Sequence, residues 1–373
     1  MTTPKDLDDA ARAEVLLALT GDVGPILRGR LLEYFGDAAR VLAASDDELQ
    51  RVQGIGPKIA KRIRQARQEV QLEAQLALAA EHGLQILLPG RADYPRLLTE
   101  IPDPPGVLFA RGAMEPADAM AVGIVGTRRA THYGKQTAER LAAGLARAGV
   151  TVVSGLARGI DAAAHRGALA AGGRTIAVLA SGVLNVFPPE HEKLATEVAA
   201  HGAVISEVAP TMPPLAGMFP QRNRIISGLS MGVVIVEAAH RSGALITARH
   251  AMEQGREVFA VPGQIDSPGS AGPHHLLRDG AKLVTCVDDI LEELGHLPAA
   301  APDQRGGNIR AAAELKLNDL EHAVLQAIEP AGSVLDDVAE KCALPIHRVL
   351  STVSVLESRR LIRKIGGNRV ARI

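Results

Sequence analysis

The sequence predicts an α/β fold: a parallel sheet covered on both faces by helices, with a helical domain before it and a small winged-helix domain after it. Three observations carry this expectation. From about 120 to 295, short β-branched runs alternate with helical segments, as crossover units feeding a parallel sheet do. Residues 10–80 place apolar positions at helical spacing and show no strand pattern. Beyond 314 the order is three helices and then a hairpin. A chain of 373 residues exceeds one ordinary core. Three domains are therefore expected, at 1–80, 84–295 and 314–373, with a Pro-, Ala- and Gly-rich linker over 296–313.

In the first domain, helical spacing runs through 13–19, 26–35 and 59–70. It contains a near-repeat. Val23-Gly24-Pro25-Ile26 precedes one basic helix, and Gly54-Ile55-Gly56-Pro57-Lys58-Ile59 restates the pattern before another. Glycine permits a tight hairpin and proline fixes the first helical residue, so bare amides and a helix N-terminus face outward toward a phosphate. The second copy resembles the helix-hairpin-helix (SAM-like) motif of sequence-independent DNA binders. From Arg51 to Arg67 there are six Lys or Arg and no acid. Gly54, Gly56 and Lys58 are its candidate contacts.

The central domain opens with a Pro- and Gly-punctuated segment over 88–112, expected as a strand-and-loop extension of the sheet. Strands are expected at 121–125, 151–154, 175–180, 203–206, 233–237, 257–261 and 282–285, with helices at 135–148, 160–171 and 244–254. The last domain should place helices at 320–328, 334–342 and 345–359, then strands at 361–365 and 369–373 around Gly366-Gly367-Asn368. Its third helix could enter a major groove, with Arg363, Lys364 and Arg369 on the wing. Ser351, Ser354 and Glu357 on that helix suit a protein-docking winged helix equally.

Bulk composition restricts function. The formal net charge is −1, so nucleic-acid binding must come from local basic patches. The only cysteines, Cys286 and Cys342, give neither a disulfide framework nor a metal cluster, which fits a reducing, cytoplasmic setting. The start is polar, and the apolar run at 15–19 is too short for a signal core or a membrane span. Aromatics make up 2% of the chain, too few for a broad base-stacking sheet, so each well-placed ring carries weight.

Ligands of open parallel sheets bind beyond the carboxyl ends of the strands. The first such loop, Gly126-Thr127-Arg128-Arg129, lacks the third glycine of a dinucleotide fingerprint. The next strand ends in Ser154-Gly155, where a nicotinamide site needs a carboxylate. Gly134-Lys135 is followed by Gln136, so no phosphate loop forms. No cofactor is expected. Gly126, Arg128, Ser154, Gly155 and Arg158, with Ser242 and Gly243 of a third loop, are instead suited to phosphate oxygens, and Asp161 to anchoring its loop. Several such cups along one edge fit a polymer better than a single anion.

The stretch Phe219-Pro220-Gln221-Arg222-Asn223-Arg224-Ile225-Ile226-Ser227-Gly228 reads as a recognition loop ahead of an apolar helix. Phe219 offers a face to an unstacked base, and Arg222, Asn223 and Arg224 offer donors to phosphate. On the motif alone, a capping loop whose arginines answer nearby carboxylates is equally open. No zinc-protease, nucleophile-elbow or paired-acid pattern occurs, so no enzyme is expected.

These motifs together resemble the DNA processing protein A (DprA/Smf) family. The match also includes Asp93-Tyr94-Pro95, Asp103-Pro104-Pro105, Ser154-Gly155-Leu156-Ala157-Arg158-Gly159-Ile160-Asp161, Ser242-Gly243-Ala244-Leu245-Ile246-Thr247-Ala248 and Val261-Pro262-Gly263, spanning about 84–294. The resemblance implies an extended Rossmann-like core that binds single-stranded DNA in a basic pocket, forms a homodimer and loads RecA in natural transformation and recombination. It places Arg128, Ser154, Gly155, Arg158, Phe219, Arg222, Asn223 and Arg224 on the family's binding motifs. Double-stranded DNA is a further expected partner of the end domains, and no membrane is. The sequence departs from the family at Leu215-Ala216-Gly217-Met218, Gly182-Val183-Leu184-Asn185 and Gly272-Pro273-His274. A competing reading is a nucleotide phosphoribohydrolase on a similar core. Val261-Pro262-Gly263-Gln264 breaks that class's glycine pattern, and Glu237 is the one acid that could serve it.

Overall fold

The computed structural model describes residues 4, 7–294, 296–302, 308–311, 317–359, 361–366 and 368–372. The chain divides into two compact units, Met1–Thr285 and Cys286–Ile373.

The first unit is built on a nine-stranded sheet of β1 (Gln85–Leu87), β2 (Leu108–Gly112), β3 (Ala121–Val125), β4 (Thr151–Ser154), β5 (Thr175–Val178), β6 (Gly202–Ser206), β7 (Gly232–Ile235), β8 (Glu257–Ala260) and β9 (Lys282–Leu283). Their spatial order is β1-β2-β6-β5-β4-β3-β7-β8-β9. Strands β3 to β9 pair in parallel, in register from Val122 beside Val152 and Gly232 out to Phe259 beside Lys282. The 88–112 segment supplies β2, which adds antiparallel to β6 and carries β1 outside it, so the expected extension is present.

From β3 the chain steps outward to β6, then returns to β7 on the other side of β3. The order therefore reverses between β3 and β7, where an open sheet leaves a crevice at its carboxyl edge.

Residues of the central strands β3 to β7 are buried on both faces, as a covered parallel sheet requires. One face packs Val153, Ile176, Val178 and Ile235 against Ile225 and Ile226 of the helix Met218–Gly228. The opposite face packs Phe109, Ala177 and Val204 against Leu7, Ala11 and Val15 from the N-terminal region. The N-terminal helices thus share a core with the sheet as well as keeping their own, around Leu17, Leu31, Val41 and Ile63.

The helix Met218–Gly228 corrects the sequence reading, which has a loop there. Pro220 falls in the first turn, where the amide has no intrahelical partner to lose, so it does not interrupt the helix.

In the second unit, helices Asp319–Ala327, Leu335–Cys342 and Ile346–Ser358 pack Val324, Val338, Val349 and Val353 into one core. Strand Arg369–Arg372 pairs with both Ser333–Val334 and Ile362–Gly366. That element order is compatible with a winged helix. Gly367 of the expected turn and Ile373 lie outside the described residues. Where the sequence suggests a linker, His296–Pro302 and Asn308–Ala311 pair as two antiparallel strands, and 303–307 and 312–313 lie outside the described residues.

Candidate nucleic-acid interface

Backbone contacts at the carboxyl edge bring the first two loops together. Thr127 N donates to Glu237 O at 2.7 Å, and Ile160 N donates to Thr127 O at 3.3 Å. A side chain on Gly126 would stand 2.5 Å from Ile160, and one on Gly159, at φ +80°, would stand 2.3 Å from Thr127 O. Gly126 is therefore a packing requirement that aims the loop at its neighbour.

A small pocket opens where these loops meet the helix Met218–Gly228. It is lined by Arg128, Arg158, Ser181, Phe187, Phe219 and Arg222, with Gly155 at its wall. The guanidinium carbon of exposed Arg128 lies 4.9 Å from the centre of the Phe219 ring. Phe187 meets the same ring edge-on, with centroids 5.8 Å apart. Two rings and a cation so arranged set an aromatic face and a positive charge side by side. The cavity beneath holds about 20 Å³, room for one water molecule. Ser181 Oγ is buried in its wall without a hydrogen-bond partner among the described residues.

Arg158 stands at the pocket's outer rim, half exposed, and donates to Glu190 at 2.5 Å. That hydrogen bond and charge hold the Glu190 carboxyl below its usual value. Asn223 donates through Nδ2 to Gly243 O at 3.2 Å and so ties the helix Met218–Gly228 to the third loop. Ser242 Oγ accepts from Ala244 N as the cap of the helix Gly243–Glu253, which leaves Gly243 exposed at the edge.

Four of the expected contacts have interior roles instead. Ser154 is fully buried and its hydroxyl donates to Ile124 O at 2.6 Å, so it ties β4 to β3. The Gly155 amide is not bare, because Asp161 Oδ2 accepts from it at 3.2 Å and from Ala157 N at 3.4 Å. Arg222 is 5% exposed and donates to Gly155 O at 2.8 Å and also to Val178 O. Burial pulls its guanidinium down to about 10, opposed by the Asp161 carboxylate. Arg224 is 3% exposed and pairs with Asp103 at 2.9 Å and Glu207 at 2.5 Å. Its charge is spent on two carboxylates inside the protein. The capping-type reading of the arginines thus applies to Arg224. Of this set, Arg128 and Arg158 keep their guanidinium groups exposed at the pocket.

Phe187, Ser181 and Glu190 are site residues the sequence reading did not single out. The available signal was an aromatic set beside Pro188 and Pro189 in the loop leaving β5.

Glu237 is committed to structure: Thr131 donates to it twice, from N at 3.0 Å and Oγ1 at 2.5 Å. The carboxylate thereby fixes the start of the helix His132–Arg147. Asp161 is raised above its usual range by burial, against the pull of Arg222.

In the N-terminal region, Gly54 takes φ +94° and Gly56 leads into Pro57–Glu69 with proline first, as the hairpin requires. Lys58 is exposed and shares Asp22 with Arg62, at 3.2 and 3.1 Å.

No helix among the described residues is long and apolar enough to cross a membrane.

The sequence profile described as DNA recombination-mediator protein A matches residues 85–295. One described as a SAM-like helix-hairpin-helix tandem matches residues 13–69, which takes in both copies of the glycine-proline repeat. Protein Smf of Escherichia coli strain K12 is 42% identical over 290 residues, 76% of this chain and 76% of that protein. DNA processing protein DprA of Bacillus subtilis strain 168 is 46% identical over 220 residues, 59% of this chain and 74% of the relative. The X-ray structure of DprA from Streptococcus pneumoniae superposes with a TM-score of 0.67 at 33% identity, covering 78% of this chain and 99% of that one. A structure of DNA processing protein A from Helicobacter pylori, described as giving insight into its single-stranded DNA binding mode, superposes with a TM-score of 0.51 at 31% identity, covering 56% and 93%.

Proposed function

The chain belongs to the DNA recombination-mediator protein A family, and on that premise we propose that it binds single-stranded DNA at the carboxyl edge of its sheet and acts in recombination without catalysis. The observation that carries the reading is Arg128 held over Phe219 beside Phe187. A base stacks on the ring, and the phosphate next to it takes the guanidinium. Arg128 lies over one face of the Phe219 ring, so it swings aside for a base to stack on that face. The H. pylori structure's description supports the same ligand class.

A hydrolytic reading gains nothing from the site. The acid it would need, Glu237, has both oxygens bound by Thr131. His165 is fully buried on Thr175.

A homodimer and delivery of RecA to the coated strand complete the proposal, both carried by the family resemblance. Met252, Ile265 and Leu283, 53%, 87% and 53% exposed, supply apolar surface for a second copy. Two linked pockets on one strand raise affinity without new contacts. The test is titration of a fluorescent single-stranded oligonucleotide, with duplex as competitor, against the wild type and Arg128→Ala. Strand binding that survives duplex competition and falls in the variant supports the proposal. Equal binding of the two proteins overturns it.

A further inference from the structure

A second basic surface lies outside the pocket, in the groove between the helices His132–Arg147 and Ile160–Ala170. The helices approach closely, since a side chain on Gly167 would stand 2.3 Å from Glu139 O. The groove above that contact has a volume of about 670 Å³ and is lined by Tyr133, Glu139, Arg140 and Arg166, among others. Arg140 and Arg166 are exposed, and neither has a carboxylate partner among the described residues. Two guanidinium groups without a carboxylate partner on one groove leave their donors open to an anion.

Tyr133 sits in the first turn of its helix, just beyond the loop that carries Arg128 and Arg129. The residue is 51% exposed, while its hydroxyl donates to Pro262 O at 3.0 Å. The anchored hydroxyl holds the ring at a set angle, so its free face is ready for stacking at little entropic cost. Arg140 follows two turns along the same helix face, about 10 Å further from the rim.

We propose that this groove is a second strand-binding subsite, in which Tyr133 stacks a base and Arg140 and Arg166 hold the backbone of a single strand leaving the Arg128 pocket. The inference rests on the strand-binding reading above and extends it from one pocket to a path over the rim. Glu139 is the opposing charge in the groove, and it sets the sign of one test.

The test compares a short oligothymidylate that fills only the pocket with one several times longer, by fluorescence anisotropy at a series of salt concentrations. Arg140→Ala/Arg166→Ala should leave the short strand's affinity unchanged and weaken the long strand at least tenfold. The log–log salt slope for the long strand should shrink by about 1.4, two phosphates' worth for a single strand. Tyr133→Ala should weaken the long strand with little change in slope. Glu139→Gln should tighten it. Wild-type affinity and slope for the long strand in the double variant would overturn the subsite, as would equal weakening at both lengths. Arg128→Ala separates the two claims. If it leaves both lengths unaffected, the pocket itself fails; if it weakens both while the groove variants weaken neither, only the groove fails.

Discussion

Arg222 lays its guanidinium in the volume that a side chain on Gly155 would need: a methyl there would stand 2.5 Å from Arg222 Nη1. The glycine in the second loop is thus required by a buried cation, which in turn donates to the carbonyls of Gly155 and Val178. Gly155→Ala should destabilise the protein by about 1–3 kcal/mol, the usual cost of overpacking a tight site. Thermal melting reads it. A melting temperature equal to wild type would show that the guanidinium moves freely.

Arg224 and Arg128 are both among the arginines the family resemblance singles out, yet should fail differently. Arg224→Ala leaves Asp103 and Glu207 facing each other without their cation, Glu207 already raised by burial, and should cost about 3–5 kcal/mol of stability. Arg128→Ala, at an exposed site, should leave the melting temperature within a degree or two. Denaturant titration of both separates structural from ligand-facing arginine. Equal stability losses would contradict the assignment.

The sheet was legible because its signal is local. β-branched runs near 121, 151, 175, 203, 233 and 257, each followed by a helical segment, read as buried strands, and their order fixes the carboxyl edge where Arg128 sits. What escaped depended on distant partners. Nothing near Arg224 reveals that Asp103 and Glu207 will neutralise it. Likewise Ser154 looks like a free hydroxyl until Ile124 is placed beside it. Pro220, between Phe219 and Gln221, suggests a loop, although first-turn proline suits a helix. Phe187 joined the site only because the loop leaving β5 folds against Phe219.

Burial of His165 should make the protein acid-sensitive. Its ring is buried on Thr175, and burial, reinforced by His191 and Arg222, pulls it from 6.5 to about 3. Between those values the unfolded chain holds a proton that the folded chain does not, so stability is lost as pH falls from about 6.5 toward 3. The loss from this group amounts to as much as roughly 5 kcal/mol. His165→Gln should flatten that part of the stability curve, measured by denaturant midpoints from pH 7 to pH 4. An unchanged slope would mean the ring protonates in place.

Glu190 screens Arg158 at the pocket rim. Glu190→Gln should free the guanidinium and tighten strand binding a few-fold at low salt, with the gain vanishing as salt rises. Arg158→Ala should act in the opposite direction. Anisotropy titrations at two salt concentrations decide it, and weaker binding by Glu190→Gln would show that the pair itself builds the site.

The most direct measurement is the salt dependence of single-strand affinity for the wild type, Arg128→Ala and Phe219→Ala. Both variants should bind more weakly. The arginine change should lower the log–log slope by about 0.7, one phosphate's worth. The phenylalanine change should cost about 1–3 kcal/mol at unaltered slope. Wild-type affinity in both variants across the salt series would contradict a strand gripped between that cation and that ring.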